Sequence, residues 1–156
     1  LVERLSMQLS RRLILKGSLA VAALAAMPRA LLAAVWPENA FSKTTSTDAI
    51  ADLFGTDQIA VSDQISMKVP QIAENGAVVP VAIKTTLEKV ESISIVVEKN
   101  PRPLAATFEL PAGTLPEVAS RIKMGQTSDV LAIVKTDSGL FSTAKNVKVT
   151  IGGCGG

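Results

Sequence analysis

Ile93-Ser94-Ile95-Val96-Val97 places Ile93, Ile95 and Val97, all β-branched, at every second position. Successive side chains of a strand point to opposite faces, so this spacing makes one continuous apolar face. The same period of two recurs where Ile65, Met67 and Val69 alternate with Ser66 and Lys68. It recurs again at Ser120, Ile122 and Met124, and at Val147, Val149 and Ile151, where the final strand is expected to end. Val78-Val79-Pro80-Val81-Ala82-Ile83 and Val130-Leu131-Ala132-Ile133-Val134 are more continuously apolar. The second reads as a central strand buried on both faces, whereas Pro80 points to an edge or a bulge. Thr107-Phe108-Glu109-Leu110 is a further strand candidate. Turn residues separate these runs: Glu74-Asn75-Gly76, Asn100-Pro101-Arg102-Pro103, Pro111-Ala112-Gly113 and Asp137-Ser138-Gly139. Short strands at such regular spacing predict a mainly β fold, an immunoglobulin-like antiparallel β-sandwich over residues 61–151. No cysteine pair marks an antibody-type domain, and no internal repeat is visible.

N-terminal to the strands, residues 35–60 read as a lead-in with one short helix. Ser46 or Thr47 can cap it, Ile50, Leu53 and Phe54 share one face, and Gly55 can end it. Trp36-Pro37 reads as a packing anchor at the start of the domain, and Asn100-Pro101-Arg102-Pro103 as a loop.

Residues 1–34 have a different character. Arg11-Arg12 begins a twin-arginine pattern, and the uncharged run from Gly17 to Met27 follows it. That run is well short of the roughly 20 residues of a membrane-spanning helix. A basic segment, a short apolar segment and small residues after it read as an export signal of the twin-arginine type, with processing near Ala34. The expected location is therefore the periplasm. The segment also distorts the overall charge of +2. Arg4, Arg11, Arg12, Lys16 and Arg29 against Glu3 give it a net +4, which leaves −2 for the remainder. The basic balance thus belongs to the leader and gives no support to nucleic-acid binding.

The other end is Gly152-Gly153-Cys154-Gly155-Gly156, and Cys154 is the single cysteine of the chain. Glycine has no side chain and ranges over most of φ/ψ space, so the flanks make a thin, flexible arm that presents one thiol. One unpaired cysteine in an oxidising compartment implies a reactive thiol or an intermolecular bond. A free thiol has a pKa near 8.5, and no basic residue adjoins Cys154 in sequence to lower it. Such a sulfur suits a carrier whose partner supplies the activation better than it suits a catalytic nucleophile. The chain has no histidine, so it lacks the usual acid/base group near neutral pH and the commonest metal ligand. No phosphate-binding loop and no nucleophile elbow is present. The expectation is a non-enzymatic protein with no catalytic residue, metal or cofactor.

The Gly-Gly-Cys-Gly-Gly terminus, the twin-arginine leader, the Trp36-Pro37 start with a helix ending at Phe54-Gly55, and the β-rich body together resemble the SoxY family. Its members carry sulfur covalently in the Sox thiosulfate-oxidising system. The resemblance implies that Cys154 is the sulfur attachment site and that Gly152, Gly153, Gly155 and Gly156 form the swinging arm. It also implies a heterodimer with a second β-sandwich subunit, SoxZ. Transient encounters are implied with the SoxAX cytochrome, which couples thiosulfate to the cysteine, and with the SoxB hydrolase, which releases sulfate. A sulfane dehydrogenase is a further partner where one is present. Three other readings of the residues stand beside it. One is a structural immunoglobulin-like module with an incidental tail. Another is a carrier that uses its terminal carboxylate, against which export away from ATP argues. The third is a redox or metal-delivery protein, the weakest of the three with one cysteine and no histidine.

Overall fold

The computed structural model describes residues 36–150. The export signal with Arg11 and Arg12, and the arm with Gly152, Gly153, Cys154, Gly155 and Gly156, lie outside the described residues.

Among the described residues two helices come first, α1 (Glu38–Ser42) and α2 (Ser46–Phe54). One helix was expected, and the cap is Thr45 rather than Ser46 or Thr47. Thr45 is extended, with φ −120° and ψ 147°, and its Oγ1 accepts a hydrogen bond from the Asp48 backbone N–H at 3.2 Å. The same hydroxyl donates to Asp48 Oδ2 at 2.6 Å. Ser46 is already inside the first turn. Gly55 ends α2 in the left-handed region at φ 74°, as its position predicts. Thr45→Ala removes the partner of an orphan N–H, and a loss of about 1 kcal/mol of stability is expected in urea unfolding.

Nine strands follow: β1 (Ala60–Val61), β2 (Ile65–Lys68), β3 (Ile72–Ala73), β4 (Val79–Thr85), β5 (Val90–Val97), β6 (Leu104–Glu109), β7 (Glu117–Ile122), β8 (Ser128–Thr136) and β9 (Gly139–Val149). The larger sheet has the order β1-β9-β8-β5-β6, with β3 also on β9, and the smaller has the order β2-β4-β7. The long ladders are antiparallel, but β1 and β3 each pair with β9 in parallel over two residues. These bridges depart from a purely antiparallel sandwich. They are too short for a period of two to appear in sequence. Pro80 lies on β4, which is the middle strand of its sheet. The β2 ladder stops at Lys68 opposite Ala82, so on that side Pro80 is beyond the last paired residue. The ring therefore occupies a local edge.

The core has two compartments on opposite faces of the larger sheet. Ile93, Ile95, Val97, Val130, Ala132 and Val134 meet Met67, Val79, Val81, Ile83 and Ile122 of the smaller sheet. On the other face, Val96, Leu104, Ile133 and Leu140 meet Ala40, Ala49 and Ile50, with Leu53 and Phe54 packed alongside. The helix pair thus adds a third layer, which explains why β5 is buried from Ser92 to Val97 on both sides. Ser94 stays polar in this setting by sharing a hydrogen bond of 2.8 Å with Thr107. Trp36 is 64% exposed.

Candidate functional site: the root of the C-terminal arm

β9 delivers the chain to the C-terminal segment, and its last residues are held from both sides. On one side, Thr127 Oγ1 accepts from the Val149 N–H at 3.0 Å and donates to the Val149 carbonyl at 3.4 Å. On the other side, the Lys148 N–H donates to the Gln71 carbonyl at 2.9 Å, and the Thr150 N–H donates to the Ala73 carbonyl at 3.1 Å. Val147 is fully buried and anchors the strand in the core. The β9 strand ends at Val149, and Thr150 makes its last backbone contact among the described residues. Cys154 is four residues further on, roughly 13–14 Å of fully extended chain.

Gly76 stands beside this root because nothing larger fits. A Cβ there would lie 2.3 Å from the Met124 carbonyl oxygen and 3.0 Å from Val149 Cγ1. The first of these is a backbone atom, and the Gly76 carbonyl already accepts from the Met124 N–H at 2.7 Å. Gly76→Ala must therefore push apart the 124 segment and the end of β9. The expected cost is about 1–3 kcal/mol, read by urea unfolding, with the largest amide shifts at Met124 and Val149.

The loop at Asn100-Pro101-Arg102-Pro103 is pinned to this same end of the sandwich. Asn100 Nδ2 donates to the Lys123 carbonyl at 2.7 Å, and the Gly125 N–H donates to Asn100 Oδ1 at 3.0 Å. The two segments enclose a groove of about 620 Å³ lined by Arg102, Arg121 and Lys123 together with Ala105, Ala106 and Ser120. Sequence reading found the loop and missed its mate, because the two halves are more than twenty residues apart and are joined through side chains, the Asn100 amide and the Gln126 amide, which donates to the Lys99 carbonyl at 3.0 Å.

Charge is distributed unevenly along the sandwich. Among the described residues, Arg102, Arg121 and Lys123 take part in no ion pair. Those that form are Lys43–Asp52, Lys84–Glu117, Lys89–Asp137 and Lys135–Glu91. The last three lie toward the end opposite the arm. There the hydrogen bond to Asp137, and then its charge, hold the Lys89 ammonium above its usual pKa. Glu91 does the same for Lys135. No group of acidic, histidine or cysteine side chains capable of holding a metal occurs among the described residues. The arrangement offers a fixed base for the arm and a band of unneutralised cations next to it.

Comparison with known proteins agrees with this geometry. Residues 50–154 match the family model described as "Sulfur oxidation protein SoxY". The sulfur carrier protein SoxY from Chlorobium limicola f thiosulfatophilum is 38% identical. That alignment covers 73% of this chain and 99% of the other, with a TM-score of 0.63. The superoxide reductase (neelaredoxin) of Ignicoccus hospitalis superposes with a TM-score of 0.54 at 16% identity, over 62% of this chain and 98% of its own. At that identity the likeness shows the sandwich fold alone. No curated protein matches the chain. With the family match spanning most of the sandwich and reaching Cys154, the chain belongs to the SoxY family.

Proposed function

We propose that this protein is a covalent carrier of sulfur intermediates in thiosulfate oxidation, with the cargo bound through the Cys154 thiol. The observation that carries this reading is the thiol's placement. A single cysteine follows the clamped end of β9 by a few residues, and the family match extends to that cysteine. Family membership, and 38% identity to a protein described as a sulfur carrier, support the carrier role. Gly152, Gly153, Gly155 and Gly156 serve as the thin arm that lets the sulfur enter a partner's cleft while the sandwich stays outside.

On this reading the chain performs no chemistry of its own and is acted on by partner enzymes. Its lack of histidine suits that division of labour, since no general base is available to activate the thiol. The working complex is a heterodimer with SoxZ, which meets the SoxAX cytochrome, the SoxB hydrolase and, where present, a sulfane dehydrogenase. The twin arginines Arg11 and Arg12 direct export to the periplasm.

Intact-mass spectrometry of the mature protein, purified from its host during growth on thiosulfate, tests the proposal. Additions on Cys154 with the mass of thiosulfate or of extra sulfur atoms, removable by reductant, are expected. An unmodified thiol under those conditions, with the tail intact, would overturn the carrier role in favour of a structural module.

A further inference from the structure

The groove between the Asn100–Pro103 loop and the end of β7 has a charge pattern that the carrier role does not itself require. Among the described residues, its lining includes Arg102, Arg121 and Lys123 and no acidic residue. Arg121 also lines the adjoining groove over the outer face of the smaller sheet, together with Lys68, again with no acidic residue among the described ones. Like charges gathered on one rim repel one another, and a small shift of any carboxylate to this side would relieve the repulsion. Lys68, Lys99, Lys145 and Lys148 likewise form no ion pair among the described residues, whereas the lysines toward the opposite end of the sandwich do. Lys84, Lys89 and Lys135 each have an acidic partner, while the three groove cations have none among the described residues. A groove of this kind focuses positive potential and concentrates anions.

Its walls are also held in place. The Asn100 amide spends its donor and its acceptor on the 123–125 segment, so it fixes the distance between the Arg102 side and the Lys123 side. The guanidinium groups of Arg102 and Arg121 present planar forks of donors that match the oxygen atoms of an oxyanion. Ser120 also borders the groove. The Met124 N–H, next to Lys123, donates to the Gly76 carbonyl at 2.7 Å, and a Cβ on Gly76 would lie 3.0 Å from Val149 Cγ1 at the root of the arm. The groove is therefore a near neighbour of the point from which Cys154 departs.

We propose that this groove is a binding site for sulfur oxyanions, with Arg102, Arg121 and Lys123 as its anion-holding groups. The ion is of the thiosulfate class, a small sulfur centre bearing several terminal oxygens and one or two negative charges. The choice of ion rests on the carrier reading above, while the anion site itself does not. The same chemistry has two sources, a free ion or the sulfonate end of cargo on Cys154.

The test is an amide-resolved NMR titration of the folded chain at low ionic strength. In the first arm, Cys154→Ser protein is titrated with sodium thiosulfate, and sodium chloride at matched ionic strength is the control. Saturable shifts centred on Asn100, Arg102, Arg121, Lys123 and Gly125 are expected. The Arg102→Ala/Arg121→Ala/Lys123→Ala triple variant changes only exposed side chains, and at least tenfold weaker binding is expected from it. In the second arm, wild-type protein is converted to the S-sulfonate at Cys154, confirmed by mass, and examined without added ion. Shifts at the same amides identify cargo as a source, and shifts in the first arm alone identify the free ion. Absence of these shifts in both arms overturns the site, as do shifts that chloride reproduces or that survive in the triple variant. Failure of the carrier reading would appear separately, as an unmodified Cys154 in protein from the host.

Discussion

Cys154→Ser is expected to abolish thiosulfate-dependent loading completely while leaving the fold untouched. The chemistry explains the size of the effect. On the proposed role the cargo bond is sulfur to sulfur, and a serine oxygen offers neither the nucleophilicity of a thiolate nor a reducible bond through which the intermediate leaves. The position explains the selectivity. The substitution exchanges one small side chain for another of similar size, and Cys154 is four residues past Thr150 in sequence. Unfolding free energy should stay within about 0.5 kcal/mol of the parent, as for exposed sites generally. Growth of the host on thiosulfate and intact mass read the first half of the expectation, and urea unfolding reads the second. Normal growth on thiosulfate with the serine variant would end the thiol-carrier interpretation.

Ile133→Ala has the converse signature, a large loss of stability with Cys154 chemistry intact in the molecules that remain folded. Ile133 is fully buried on the helix-facing side of β8, among Ala40, Ile50, Val96, Leu104 and Leu140. Truncation removes three carbons from a close-packed layer, and the expected cost is about 2–5 kcal/mol. A domain of this size has only about 5–15 kcal/mol to lose. The urea midpoint should fall, and hydrogen exchange should accelerate first in α1 and α2, whose docking depends on this compartment. A loss below about 1 kcal/mol would mean that the helix layer contributes little to the folded state.

The two compartments also show where sequence reading was sharp and where it was blind. Val130–Val134 was read as buried on both faces, and that is what β8 does, with Ile133 turned to the helices and Val130, Ala132 and Val134 turned to the smaller sheet. Ile93, Ile95 and Val97 were legible as one apolar face. The burial of Ser94 and Val96 was not, because it depends on a helix pair that arrives from the other end of the chain. The first part of β9 was invisible for a different reason. From Phe141 to Asn146 its side chains are half-buried or exposed, so pairing with β8 is recorded in backbone hydrogen bonds and not in hydropathy. Cys154 and its glycines are legible because a composition so unlike its surroundings needs no tertiary context. Arg102, Arg121 and Lys123 are ordinary surface cations in sequence, and only the pinning by Asn100 makes them a set.

The paired grip of Thr127 and Ala73 on the last residues of β9 turns arm length into a measuring device. If β9 frayed, slack would come from the sheet and the tether would have no definite length. On the carrier role proposed above, a partner that takes cargo is expected to place its reacting atom within roughly 13–14 Å of Thr150, the fully extended length of four residues. Two glycines inserted after Thr150 would lengthen the gauge by about 7 Å, and the partner with the shallowest site should notice least.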